Sequence, residues 1–321
     1  MHFDARKELK ISSNAPGFTL SLDCEGLWGM ADQDAIVSAG LISDASLKDA
    51  YAFLLDTLNK TNLKVTAAFV SCFAAEPDAV RDNMALLEQM AALNPGWFAH
   101  VVPALQTGAL DGWKGADFYR SMSAAGHEMA WHGTTHLPLS DQTASEAIAL
   151  ELELAVRLFP ALGHTPRTIV FPRNQVGHLG LLRRHGFETY RASLPGGFTI
   201  RLSGLLNEWN IFDQRVIEKP RVQDGWHVSP AGHFLNWPAG VRALVPVSVT
   251  VRRWISLLRS AAEGGGYVHM WFHPHNLITA PAMKASFEEI MRFVGELVKS
   301  GDMVNVTMAE ANEYYSTGAL G

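Results

Sequence analysis

Short apolar segments alternate along the chain with longer amphipathic ones. Six short segments have the composition and length of buried strands, and Met303–Thr307 is a seventh candidate. The six are Phe18–Asp23, Val65–Ser71, Glu128–Trp131, Thr168–Phe171, Thr189–Ala192 and Tyr267–Phe272. Between most of them, apolar residues recur at the spacings of three and four that are typical of an amphipathic helix. The helices predicted in this way are Ala45–Leu58, Ser145–Leu158, Leu179–His185, Arg242–Glu263 and Pro281–Lys299.

Residues at the ends of these segments support the predicted helices. Ser43 and Asp44 precede the first helix and can cap it. Gly186 follows the third helix, and glycine commonly ends helices. Pro246 interrupts the fourth, because proline has no backbone N–H to donate. The polar side of the helix at Ser145–Leu158 is predicted to carry Glu146, Glu151 and Glu153.

The alternation of strands and helices predicts an α/β fold with a parallel sheet that is covered on both faces. About seven such units favour a barrel or near-barrel over an open doubly wound sheet. Two segments rich in aromatic and turn residues, Asn94–Lys114 and Leu194–Pro238, are predicted to be insertions that shape a substrate cleft. Glycine-rich motifs for dinucleotides or for nucleotide phosphates do not occur after the predicted strands.

Length and charge narrow the class of protein. The chain has 321 residues, of which 48% are hydrophobic, and we expect a single catalytic domain over residues 1–321 with its core at about 18–310. The formal net charge is −6, and no basic stripe could neutralise a phosphate backbone, so nucleic acid is not an expected partner.

The sequence gives little indication of the cellular compartment. Residues 1–14 lack the apolar region of a secretion signal, and no run of about 18 apolar residues could span a membrane. A soluble, cytoplasmic protein is therefore expected. Cys24 and Cys72 are too few for a disulfide scaffold, which leaves open a single bridge between them. The oligomeric state is not indicated.

Two groups of residues at predicted strand ends could bind a cation. Asp23 and Glu25 are two residues apart, so both carboxylates should face one cavity, where they would repel each other without a cation or a proton between them. His132 and His136 are four residues apart, a spacing that suits zinc, although such pairs also occur by chance. Gly-Thr-Thr between them indicates a loop, unlike the helical HExxH motif of metalloproteases.

Two further groups follow other strands. Arg173 lies at the end of a predicted strand and could hold a carboxylate in a bidentate pair, or else form a surface ion pair. His269, His273 and His275 occupy alternate positions at the end of the last long strand. A histidine there suits acid–base chemistry near neutral pH, whereas His269 lies deeper and is expected to be a buried, hydrogen-bonded core residue.

In this order, the four groups resemble the motifs of the polysaccharide deacetylases of carbohydrate esterase family 4, which share the chitooligosaccharide-deacetylase homology domain. Leu22–Glu25 is similar to an acidic first motif, His132–His136 to an HxxxH second motif, Phe171–Arg173 to an arginine-bearing third motif and Phe272–Pro274 to a last motif that supplies a histidine. The resemblance extends from about Phe18 to the last strand. It implies a distorted (β/α)7 barrel with insertions in the βα loops.

The resemblance also implies roles for individual residues. Glu25, His132 and His136 would bind the metal, Asp23 would be the general base and His273 the general acid. Arg173 would orient Asp23. The chain departs from the family pattern in that Glu25 follows an intervening cysteine and Arg173 follows its proline, and His275 is an alternative to His273 as the acid.

The cofactor is predicted to be a divalent metal, with zinc as first choice and iron, cobalt or nickel also compatible with two imidazoles and a carboxylate. Non-haem iron oxygenases use a similar ligand set, but that interpretation leaves Asp23 and His273 without a role. Trp28, Asn174 and His275 are the predicted substrate contacts. Trp97, Trp113, Trp209, Trp226 and Trp237 lie in the insertions and could pack on a sugar ring, although most tryptophans belong to the core.

The predicted function is metal-dependent hydrolysis of an N-acyl group, with N-acetyl preferred, from an amino sugar or a sugar precursor, in the context of surface-polysaccharide biosynthesis. The predicted partner is thus a small-molecule or oligosaccharide amino sugar. Two alternatives stay open: the same site acting on a non-sugar cyclic amide, and a catalytically silent carbohydrate-binding protein.

Overall fold

A curled parallel sheet forms the centre of the computed structural model, which describes residues 15–193 and 218–316. The first strand, β1, lies in the middle of this sheet, and the next strands along the chain add to one side of it in order. These strands are β1 (Gly17–Cys24), β2 (Thr66–Phe69), β3 (Glu128–Trp131), β4 (Thr168–Ile169) and β5 (Thr189–Arg191). All their pairings are parallel.

The remaining strands complete the two ends of the sheet: β6 (Arg221–Gln223), β7 (Trp226–Ser229), β8 (His233–Phe234), β9 (Tyr267–Phe272) and β10 (Val304–Asn305). The order is β6-β7-β5-β4-β3-β2-β1-β9-β8, and β10 pairs with the start of β1. Only the β6–β7 pairing is antiparallel among the described strands. Within the described residues β6 and β8 remain edges, so the predicted distorted barrel is confirmed as a curled half-barrel.

Helices cover the outside of the sheet. In chain order they are α1 (Asp34–Ala39), α2 (Asp44–Thr61), α3 (Ser71–Ala74), α4 (Pro77–Arg81), α5 (Met84–Leu93), α6 (Pro95–Phe98), α7 (Val101–Thr107), α8 (Ala116–Ala124), α9 (Ser145–Leu162), α10 (Leu179–Arg184), α11 (Val247–Gly264), α12 (Asn276–Thr279), α13 (Met283–Ser300) and α14 (Met308–Ser316). Short 3-10 helices occupy Gly26–Met30, Pro172–Asn174 and Gly240–Leu244.

Successive side chains of β1 point to opposite faces of the sheet, so that one face is apolar and the other carries polar residues. Phe18, Leu20 and Leu22 join the large apolar cluster beneath the helices. The polar residues that alternate with them, Ser21 and Asp23 included, are also buried but point to the other face. The concave face of the sheet therefore carries polar groups at the carboxyl end of its central strand, where the βα loops meet.

All seven predicted strands form, with bounds that differ by a few residues. Three short strands, β6, β7 and β8, were not predicted because they lie in the segment 194–238, whose turn residues indicated an insertion. The other predicted insertion, Asn94–Lys114, contains α6 and α7. Of the acids predicted on the polar side of α9, Glu146 and Glu153 are exposed, but Glu151 is fully buried, so its predicted exposure is wrong.

No helix in the described part of the chain has the length and apolar character needed to cross a membrane. Cys24 and Cys72 are both buried free thiols, so the possible bridge between them does not form. The predictions on residues 1–14 and on Trp209 lie outside the described residues.

Helix α2 begins with the predicted cap, and this can be tested by its stability. The Ser43 hydroxyl accepts from the Ser46 backbone N–H and the Ser46 hydroxyl accepts from the Ser43 N–H, a reciprocal capping box. Ser43→Ala should lower the free energy of unfolding by about 1 kcal/mol in urea denaturation. Lys48→Ala, on the exposed side of the same helix, should change it by no more than about 0.5 kcal/mol. Equal effects of the two variants would contradict the capping role.

Candidate metal and catalytic site

Glu25, His132 and His136 converge at the carboxyl end of the central strands. Oε2 of Glu25 lies 3.2 Å from Nε2 of His132 and 2.8 Å from Nε2 of His136. The three side chains are at most 3% exposed, and one candidate ligand atom from each lies within 4.8 Å of the others. The structure thus brings together the three residues predicted to bind a metal.

Backbone contacts fix the orientation of His132. It follows β3 directly, and its Nδ1 lies 2.7 Å from the carbonyl oxygen of Val170, at the end of β4. Nδ1–H therefore donates to this carbonyl, which directs Nε2 at Glu25. A second hydrogen bond of this kind is a regular feature of metal-binding histidines.

His136 reaches the same point from a tight loop. It has a φ of 64°, a left-handed conformation that is uncommon for a residue with a Cβ. Trp97 stacks on its ring at a centroid distance of 5.9 Å and donates from Nε1 to the carbonyl oxygen of Thr135. The Nδ1 atom of His136 has no hydrogen-bond partner among the described residues. The loop and the tryptophan hold the imidazole toward Glu25.

Charge and burial at this cluster are those of a cation site. Burial alone would raise the pKa of Glu25, but the nearby charges of His136 and His273 and the hydrogen bonds from both histidines hold that pKa well below its usual value. Burial lowers the pKa of His132, yet its bond to Glu25 and the charges of Asp23 and Glu25 outweigh this and raise it. A carboxylate oxygen between two imidazole nitrogens is a donor set that divalent metals such as zinc accept. The residues present therefore fit a metal.

The approach to Glu25 requires a glycine at position 29. A Cβ on Gly29 would lie 2.1 Å from the carboxyl group of Glu25, which is far inside van der Waals contact. The 3-10 turn Gly26–Met30 is thereby able to fold back over the carboxylate and bury it.

Asp23 is held by an arginine that the sequence analysis did not identify. Arg191, in β5, donates from Nη1 and Nη2 to the two carboxylate oxygens of Asp23 at 2.9 and 2.7 Å, and both side chains are 1% exposed. Burial opposes ionisation of Asp23, but the Arg191 charge, assisted by His132, lowers its pKa. Arg191 also donates to Ser21 Oγ and Asn174 Oδ1 and lies over the ring of Trp271.

The prediction that Arg173 orients Asp23 is wrong. Arg173 donates to Asp32 at 2.6 Å and to the carbonyl oxygen of Gly29, and its guanidinium lies over Trp97. The cause is local: Arg173 and Asn174 both adopt left-handed backbone conformations, and the turn directs Arg173 toward the cavity mouth. A usable signal for Arg191 was present in the sequence, since an arginine within an apolar strand is rarely buried unless it is paired.

The three histidines at the end of β9 have different surroundings. His273 faces the cavity, and its Nε2 lies 3.9 Å from Asp23 Oδ2 and 3.8 Å from Glu25 Oε1. His275 is buried behind Glu25, and burial lowers its pKa to about 3. His269 is buried and bonded to Ser21 and to the carbonyl oxygen of Pro230, so the prediction of a structural role for it is confirmed. Only His273 is both near the carboxylates and open to the cavity.

The site opens into a cavity of about 260 Å³. Its lining combines the predicted metal ligands with Asp23 and His273, and comprises Asp23, Glu25, Gly29, Met30, Gln33, His132, His136, Arg173, Asn174 and His273. Of the predicted substrate contacts, Asn174 lines this cavity, whereas Trp28 and His275 do not. Trp28 is 1% exposed and donates from Nε1 to the carbonyl oxygen of Trp113, so the prediction that it contacts substrate is wrong.

Comparisons with known proteins agree with this description. The family model "Polysaccharide deacetylase" matches residues 37–187, a range that contains both histidines of the HxxxH motif but neither Asp23, Glu25 nor His273. No curated protein matches the chain.

Solved structures resemble the chain over nearly its whole length. A protein named as a polysaccharide deacetylase from Mycobacterium smegmatis has a TM-score of 0.60 at 16% identity, with 95% of this chain and 91% of that chain covered. One from Pseudomonas aeruginosa PAO1 has a TM-score of 0.56 at 13% identity, covering 95% and 92%. Puue allantoinase has a TM-score of 0.54 at 14% identity, covering 95% and 91%. These likenesses show a common fold, and together with the match of residues 37–187 to the family model they confirm the resemblance predicted from the motifs.

Proposed function

We propose that this protein is a metal-dependent amide hydrolase that removes an N-acyl group from an amino sugar. The observation that carries the proposal is the convergence, in one cavity, of a Glu-His-His cluster with an arginine-held carboxylate and an open histidine. Deacetylation of carbohydrates is the activity for which the matching family is named.

Glu25, His132 and His136 would hold the metal. When bound there, a divalent ion supplies Lewis-acid chemistry: it polarises an amide carbonyl and makes water more acidic. Zinc is the first choice for a ligand set of two imidazoles and one carboxylate, and iron, cobalt and nickel are also compatible. The protein's own contribution is to aim both imidazoles at this point, through the Val170 carbonyl for His132 and the stacked ring of Trp97 for His136.

Asp23 would accept the proton of the attacking water. Its bidentate pair with Arg191 keeps the carboxylate ionised and fixes its plane toward the cavity. A carboxylate with a lowered pKa is a weak base, so this role depends on position more than on basicity. The water must therefore lie within hydrogen-bond reach of Asp23 while its oxygen lies within attack distance of the acyl carbon.

His273 would donate a proton to the leaving nitrogen, because an amine leaves poorly unless it is protonated. Asn276 Oδ1 lies 3.2 Å from Nδ1 of His273 and also accepts from its backbone N–H, which turns Nε2 toward the cavity. Because its pKa is lowered to about 3, His275 is a neutral imidazole near pH 7. A neutral imidazole is a poor proton donor, so His275 is the weaker candidate for the general acid.

A small non-sugar amide is the second candidate substrate. None of the described residues that line the cavity is Trp, Tyr or Phe, so this part of the chain offers no flat apolar ring for a pyranose. A panel of N-acetylated amino sugars and cyclic amides, with acetate and amine release measured after loading with zinc, separates the two. Release of acetate from at least one N-acetyl sugar is the expected result. Turnover of cyclic amides alone would refute the deacetylase proposal.

The proposed roles of His132 as a metal ligand and Asp23 as a general base predict different effects of their substitution. His132→Ala should lose zinc affinity by more than the roughly 10–100-fold caused by loss of an outer-shell partner. Asp23→Asn should bind zinc but lower kcat about 10²–10⁴-fold, as expected for loss of a general base. Zinc affinity is measured by competition with a chromophoric chelator, and kcat by acetate release. Undiminished turnover in Asp23→Asn would refute the assigned base.

The two arginines give a matched pair of variants. Arg191→Lys removes one of the two parallel bonds to Asp23, and we expect kcat to fall by about tenfold or more, equivalent to roughly 1.4 kcal/mol. Arg173→Lys alters the cavity mouth but leaves the Asp23 pair in place, so its effect should be mainly on KM. Steady-state kinetics on the same N-acetyl substrate compare the two. A larger loss of kcat in Arg173→Lys than in Arg191→Lys would contradict the assignment of Arg191.

A further inference from the structure

The loop that carries His136 is attached to a single buried carboxylate. Glu151, on α9, accepts from the hydroxyl of Thr135 at 2.8 Å, from the Thr135 backbone N–H at 3.1 Å and from the Leu137 backbone N–H at 3.2 Å. Its backbone carbonyl also accepts from the hydroxyl of Thr134. The bonded residues lie on both sides of His136 in the chain.

Burial of the Glu151 carboxyl group costs free energy that an apolar side chain at the same place would not require. The side chain of Glu151 is fully buried, and no described Lys or Arg pairs with it. Burial raises its pKa to about 7, even though the bonds from Thr134, Thr135 and Leu137 act in the opposite direction. Buried acids without a paired cation are rare, and when present they commonly serve a specific site.

The loop needs such an anchor because its backbone is strained. His136 has a left-handed φ of 64°, a conformation that costs about 1–2 kcal/mol for a residue with a Cβ. Without bonds on both sides, the segment would relax toward ordinary backbone angles and move the imidazole. The contact at stake is the 2.8 Å separation of His136 Nε2 from Glu25 Oε2.

We propose that Glu151 is a positioning residue for the candidate metal site, which fixes His136 by clamping the backbone on both sides of it. This inference rests on the proposed metal role of Glu25, His132 and His136. Glu151 does not touch the metal ligands' donor atoms, and its effect is transmitted through Thr135 and Leu137.

The same chain offers a control for a purely structural role. Glu128, at the start of β3, likewise accepts from two threonine hydroxyls, those of Thr66 and Thr168, and from the backbone N–H of Ala309. It lies at the opposite end of the strand from His132. Glu128→Gln therefore disturbs a comparable network of hydrogen bonds away from the site.

The test compares zinc binding to metal-free wild type, Glu151→Gln and Glu128→Gln, by chelator competition, together with the Tm of each. Glutamine keeps the size of the side chain but places an NH2 group against backbone donors. We expect Glu151→Gln to bind zinc about 10–100-fold more weakly, the range known for outer-shell partners. Glu128→Gln should bind zinc with an affinity within about threefold of wild type, even if its Tm falls as far as the Tm of Glu151→Gln.

A milder variant covers the case in which Glu151→Gln does not fold. Thr135→Val removes only the hydroxyl donor and keeps the shape of the side chain, and it should weaken zinc binding in the same direction by a smaller factor. Wild-type zinc affinity in the folded Glu151 or Thr135 variant, or an equal loss in Glu128→Gln, would overturn the positioning role. Failure of the wild type to bind any divalent metal would instead overturn the metal site itself, and this inference with it.

Discussion

The buried pair of Arg191 and Asp23 is the interaction on which the rest of the site depends. An isolated aspartate at this depth would take up a proton, and an isolated arginine there would destabilise the fold by several kcal/mol. Paired, they leave one ionised carboxylate at the end of β1, with a fixed orientation. Arg191 also donates to Ser21, within β1, and to Asn174, in the 3-10 helix that follows β4, so the same guanidinium ties β5 to two other parts of the sheet.

Three buried carboxylates at this end of the sheet are stabilised in three different ways. Asp23 has a guanidinium, Glu25 has two imidazoles, and Glu151 has only neutral donors. The pKa shifts agree with these surroundings: the pKa is lowered for Asp23 and Glu25, which face cationic partners, and raised for Glu151, which faces neutral donors. A buried carboxylate can therefore suit the proposed role of base, ligand or anchor according to the groups that face it.

Periodicity and local motifs predicted much of this protein. The strands β3 and β9 have the predicted bounds, and the convergence of Glu25 with His132 and His136 followed from their positions at strand ends. The predictions that failed depended on local backbone conformation or on contacts between distant segments. Arg173 and Arg191 differ in partner because of a left-handed turn that no spacing reveals, and the burial of Trp28 depends on Trp113, far along the chain. Glu151 fits a helical polar stripe by sequence, and only its packing against the HxxxH loop shows its burial.

The position of β1 between β2 and β9 has a consequence for biosynthesis. His273 follows β9, the strand that pairs directly with β1, and is synthesised about 250 residues after Asp23 and Glu25. Until β9 is made, the central strand has one side uncovered and the two carboxylates lack their neighbour. The nascent chain thus carries an unpaired edge of β1 while the intervening segments are synthesised, and the constellation becomes complete only when β9 pairs with that edge.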